Sequence, residues 1–176
     1  MSKAAIRKFR AGLSGQQLAE EILILHDRFP DVREYLSARL QLESSAKTFE
    51  KYVRLIDREF STSVRNPKGR PSVGRQILRA YKQVAISNED VIGLTLYYVS
   101  AVLRFIEEFG VVEDAYVRTV VSAFQEAAKL AAKHNVESAV AADFEEVIEE
   151  ATVAWDVIGI ELRDIAHRNG LISEAP

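Results

Sequence analysis

The stretch from Ile86 to Gly110 constrains the fold more than any other part of the chain. It opens with "ISNEDV". Ser87 is placed to accept the free backbone N–H groups of a helix start and Asp90 answers three residues on, while Ile86 and Val91 stand where a hydrophobic staple closes over the cap. Val91, Leu94, Tyr98, Val102, Phe105 and Phe109 then recur at helical spacing, so one face of a long helix is apolar throughout. Gly110 follows as the natural C-cap.

The same grammar recurs along the chain. "SKAAIRKFRAGL" reads as a short helix. In "LSGQQL", Ser14 caps, Gln17 reaches back, and Leu13 and Leu18 form the staple. The helix that follows places Leu18, Ile22, Leu25 and Phe29 on one inward face. Pro30 interrupts it. Asp31 and Glu34 read as the next capping pair, with Val32, Leu36 and Leu40 inward. Phe49, Val53, Ile56 and Phe60 mark a further helix, and Val73, Ile77, Leu78 and Tyr81 the apolar side of a basic one. Residues 113–134 carry Val117, Val120, Val121, Phe124 and Leu130, with Asn135 as terminator. Residues 136–166 read either as one helix kinked near Gly159 or as two, before "HRNG" stops the chain. No strand alternation is present. The pattern predicts an all-α domain over residues 1–176 with about seven or eight helices. The short link across Gly110 calls for stacked antiparallel helical hairpins, in a bundle or a short solenoid.

Composition narrows the chemistry. The chain has 176 residues and no cysteine, which removes disulfides, zinc–cysteine sites, thiol catalysis and iron–sulfur ligation. A chain of this length buries a core without such staples. No apolar run approaches a membrane span, and the N-terminus has no apolar core suited to a signal peptide. These features predict a soluble cytoplasmic protein. The formal charge of -3 hides an asymmetry. Residues 1–42 carry +2, residues 43–86 carry +6 and residues 87–176 carry -11. Such a split steers partners or favours self-association.

Several stretches resemble a bacterial family of small all-helical proteins known only as a domain of unknown function. They are "LHDRFPDVREYL" (25–36), "SVGRQILRAYKQ" (72–83), "SNEDVIGLTLYYV" with "FIEEFG" (87–110) and, more loosely, "SAFQEAAKLAAK" (122–133). Beyond Trp155 the chain departs from the family's aromatic C-terminal segment. The resemblance implies an all-helical domain and carries over no functional residue and no activity.

One loop stands out. "RNPKGRPSVGR" (65–75) breaks helices and concentrates positive charge, within a basic loop at 62–71 between the N-terminal and C-terminal helices. Its "PKGRP" core is similar to an AT-hook, a segment whose extended Gly-Arg-Pro backbone enters a narrow minor groove with its arginine in the negative potential. On that reading Arg70 enters the groove, Arg65, Lys68 and Arg75 hold phosphates, and Arg79 and Lys82 extend the basic face along the next helix. The other readings are a solvated connector, or a basic surface for an acidic protein such as the acidic half of another copy.

The remaining constellations favour structure over chemistry. Asp164 and His167 share a helical face with Glu161, but one such pair is far short of a di-iron set, and a histidine near a helix C-terminus suits the dipole. Glu145, Glu146, Glu149 and Glu150 read as the wet face opposite Phe144, Val147 and Ile148. Tyr98 belongs to the core stripe, whereas Tyr97, turned by about 100°, lies at a helix seam or in a groove. No phosphate-binding glycine loop, nucleophile elbow or zinc-protease motif occurs. The reading assigns no catalytic, cofactor-binding or metal-binding residue and no cofactor. It predicts a non-catalytic helical interaction module that binds a protein partner or itself, with nucleic-acid binding through residues 65–82 as the alternative and no membrane partner.

Overall fold

A computed structural model of the chain describes residues 2–40, 45–61, 63, 65–111 and 113–172. Nine α-helices run through the described residues, with no strand among them. They are α1 (Lys3–Ala11), α2 (Gly15–Arg28), α3 (Pro30–Arg39), α4 (Ser45–Phe60), α5 (Pro71–Val84), α6 (Asn88–Phe109), α7 (Asp114–His134), α8 (Glu137–Ala154) and α9 (Asp156–Arg168). No helix of the described residues is long and apolar enough to cross a membrane.

The local start and stop signals act as read. Ser14 and Gln17 bond reciprocally, Gln17 N–H to Ser14 Oγ at 3.2 Å and Ser14 N–H to Gln17 Oε1 at 2.9 Å. Ser87 Oγ accepts the Asp90 N–H at 3.0 Å. Gly110 (φ 60°) and Asn135 (φ 55°) end α6 and α7 in the left-handed conformation. One start differs. α3 begins at Pro30, so Asp31 and Glu34 lie inside the helix rather than forming its cap. Proline suits the first helical position, where its missing N–H leaves nothing unpaired, and it holds the preceding Phe29 extended. Glu34 is instead held by Lys51 of α4, at 2.8 Å.

The helix count exceeds the expected seven or eight because residues 136–168 form two helices. Their break falls at Trp155, whose φ of -164° and ψ of 98° are extended, and not at Gly159. Gly159 has another task. It is buried where α9 crosses α8, and a Cβ there would collide with the side chain and Cα of Thr152. Glycine thus permits the close approach of two helices and does not kink one.

α6 is the hub of the molecule. It packs against α4, α5, α7 and α8, while α9 closes over α7 and α8. Aromatic side chains tie the elements together. Tyr98 of α6 is 0 % exposed, meets the Phe60 ring edge-on at 5.5 Å, and donates its hydroxyl to Pro71 O at 3.0 Å. Tyr52 and Tyr81 join α4 to α5, and Phe124 and Phe144 join α7 to α8.

The N-terminal helices depart from expectation. Leu18, Ile22, Leu25 and Phe29 have the spacing of a core face, yet all four are exposed. Neither α1 nor α2 buries a residue. α2 packs on α3 and α3 on α5, so the N-terminal segment adds to the edge of the body without covering its own apolar stripe. Helical periodicity states that a face is apolar; it does not state that the same chain supplies a cover.

Candidate functional site

The basic loop is tied down through Glu59, which is buried near the end of α4. Its carboxylate takes three hydrogen bonds from Arg70: Nε to Oε1 at 2.8 Å, Nη2 to Oε2 at 2.9 Å and the backbone N–H to Oε1 at 2.9 Å. The Glu59 carbonyl accepts the Gly69 N–H at 2.7 Å. Gly69 has a φ of 59° and lies against the tip of the Phe105 ring, where a Cβ would collide. No other residue type meets both conditions without strain. The hydrogen bonds from the Arg70 side chain hold the Glu59 carboxyl below its ordinary range, against the opposing effect of burial.

The six basic residues of this region divide into two groups. Arg70, Arg75 and Lys82 are engaged internally. Arg75 of α5 donates to Glu126 Oε1 of α7 at 3.1 Å and to Ser122 Oγ, and Lys82 reaches Glu126 Oε2 at 3.4 Å. Arg65, Lys68 and Arg79 are exposed and make no ion pair with a described residue. The "GRP" sequence that looks built to enter a groove of DNA therefore has its arginine bound by an internal carboxylate. No sequence pattern announces Glu59, because its partner lies 11 positions away across a loop.

A second feature is a groove along α6, walled by α4 on one side and α8 on the other. Three depressions of about 340, 360 and 350 Å³ follow one another along it, and Arg104 lines all three. Its floor is formed by Gly93, Leu96, Tyr97 and Leu103, with Phe49 and Val147 from the two walls. The rim is acidic. Asp57 stands on α4, Glu107 on α6, and Asp143, Glu146, Glu149 and Glu150 on α8. Tyr97 takes the groove position that its spacing allowed. It donates its hydroxyl to Asp57 Oδ1 at 2.6 Å, and Arg104 lies over its ring at 5.8 Å. Burial first, then the Asp57 carboxylate, pushes the Tyr97 hydroxyl up to about 12.

Glu150 departs from the solvated face assigned to its segment. Its Oε2 is buried in the groove wall with no hydrogen-bond partner among the described residues, while Glu145, Glu146 and Glu149 are exposed. Asp164, His167 and Glu161 are exposed on α9, and no group of three possible metal-ligating side chains occurs among the described residues. The groove therefore sets apolar side chains beneath a rim of carboxylates.

These features define an all-helical protein with a central helix, an uncovered apolar N-terminal arm and an acid-rimmed groove. The chain belongs to the family of unknown function DUF6155, whose model matches residues 1–158 and so reaches further toward the N-terminus than the quoted stretches. No curated protein and no solved structure matches the chain.

Proposed function

We propose that this protein is a non-catalytic helical interaction module, which binds a protein partner or itself through the apolar surface of its N-terminal helices. The observation that carries this reading is the exposure of that surface. Phe9 is 59 % exposed and Leu23 63 %, with Ile22, Ile24, Leu25 and Phe29 also open along α2 and its end. Large apolar side chains left open in this number are costly in water and mark an interaction surface. The stacked antiparallel hairpins read into the second half would supply the rigid support. The test compares the wild type with Leu23→Asp/Ile24→Asp in sedimentation velocity over a concentration series and in capture from cell extract. The wild type is expected to assemble or to capture protein, and the variant to lose this with its melting temperature unchanged. A wild type that stays monomeric and captures nothing would overturn the reading.

A second reading, nucleic-acid binding through residues 65–82, is supported by the exposure of Arg65, Lys68 and Arg79. If these three hold phosphates, the logarithmic salt slope for A·T-rich duplex is about -2.7. Alanine at all three abolishes binding, whereas Arg70→Ala acts mainly by loosening the loop. No duplex binding at low salt would remove this reading.

A further inference from the structure

We infer that the groove along α6 is occupied by helix α1 of a second copy of this chain, so that the protein self-associates by exchanging its N-terminal helix. The inference rests on the interaction-module reading and names both the partner and the surface that receives it.

The two surfaces are complementary in charge. Residues 1–19 carry Lys3, Arg7, Lys8 and Arg10 and no acidic residue. Among the described residues the groove lining carries six carboxylates and one cation, Arg104, which already lies over the Tyr97 ring. Glu150, in the groove wall, adds a carboxylate whose Oε2 has no hydrogen-bond partner among the described residues.

The surfaces also match in shape and polarity. Ile6 and Phe9, one turn apart on α1, are both exposed. They are the apolar anchors an amphipathic helix lays into a groove. The half-buried rings of Phe49 and Tyr97 line the groove, and Val153 at its end is 82 % exposed, so these are the apolar groups open to receive them. At Gly93 the floor is shallow, and beyond its own helix a Cβ built there would meet Phe49 Cε2 at 3.7 Å, an ordinary contact. The lining on α6 runs from Gly93 to Glu107, about 21 Å at 1.5 Å per residue, and the nine residues of α1 need about 13 Å. α1 carries its own end signals for the helix that would dock, since Ser2 accepts the Ala5 N–H in the first turn and Lys8 and Arg10 complement the C-terminus. Its own body covers none of it.

A reciprocal exchange between two copies fills both grooves and closes the assembly. The experiment is sedimentation equilibrium on the full chain at low and high salt, with two exposed-charge variants: Arg7→Glu/Lys8→Glu/Arg10→Glu on α1, and Glu107→Lys/Glu146→Lys/Glu149→Lys on the groove. The wild type is expected to associate, more weakly at high salt. Each variant alone is expected to dissociate, with Kd raised on the order of a hundredfold by like charges facing each other. Mixing the two variants restores association, because each α1 then meets a groove of opposite sign. Such rescue also excludes misfolding as the cause of the single defects. Association of the wild type that neither variant weakens overturns the groove and leaves the interaction-module reading standing on another surface. Dissociated variants that do not recover on mixing overturn the inference as well. A wild type that is monomeric throughout, yet captures other proteins through α2, does the same while preserving the broader reading.

Discussion

Glu59 shows how one buried carboxylate redirects a stretch of sequence. Its pairing with Arg70 converts a segment that reads as a free basic loop into one docked on Phe105, with Gly69 against the tip of the ring. Because the Arg70 hydrogen bonds hold the folded carboxyl below the unfolded value of about 4.3, the ionised form is favoured by folding. The contribution of the pair is complete above that value and is lost as the pH falls through the folded one. Glu59→Gln is therefore expected to melt several degrees below the wild type at neutral pH, with the gap narrowing below about pH 4. Thermal melts of both proteins between pH 7 and 3 check this, and a gap that widens on acidification would contradict it. The six basic residues were all visible in the sequence, but their division into paired and exposed was not. Glu59 lies outside the loop, and Glu126 lies 51 positions beyond Arg75.

The helices themselves were legible because their signals are short-range. A Ser14–Gln17 box, a Ser87 cap, a left-handed Gly110 and a left-handed Asn135 each involve groups within a few positions of one another. Where the reading failed, a competing local rule or a distant contact intervened. Pro30 overrode the Asp31 cap through its fixed backbone angle. Gly159 read as the place of a kink, but its reason for being glycine is Thr152 on the preceding helix, whose hydroxyl donates to Ile148 O at 2.7 Å. Gly159→Ala places a methyl group against the Cα as well as the side chain of Thr152, so α9 must move. It is expected to destabilise the protein by about 1–3 kcal/mol, measured as a lower urea midpoint. An unchanged or higher midpoint would show that α8 and α9 do not pack closely at this point.

Across the whole molecule the division is between a packed C-terminal body and an N-terminal arm that shares little of its core. α6 buries apolar side chains nearly all round, whereas α1 and α2 bury none. The charge asymmetry crosses this division, since the most basic segment, residues 43–86, supplies α4 and α5 to the body. The cationic helix α1 belongs to the arm, and the acid-rimmed groove is cut into the body. A molecule so arranged carries two halves of an interface on one chain, which is the basis for exchange of α1 between copies. The resemblance to a helical family was legible in the caps and core aromatics, and the family membership bears it out over residues 1–158. The groove was not legible. Its floor and walls come from α4, α6 and α8, and its acidic residues read one by one as an ordinary solvated face.

The sequence by itself determined where most helices begin and end, that Tyr98 and its neighbours form a central stripe, and that charge is segregated along the chain. Caps, breakers and periodicity depend on groups no more than about a turn apart, so each is complete within a short stretch of sequence. Only the tertiary structure decided which apolar faces are covered, which cations are paired, and that the break before α9 falls at Trp155. These outcomes depend on which helices come into contact. The apolar stripe of α2 and the stripe of α6 obey the same spacing rule, and they differ only in having, or lacking, neighbours to bury them.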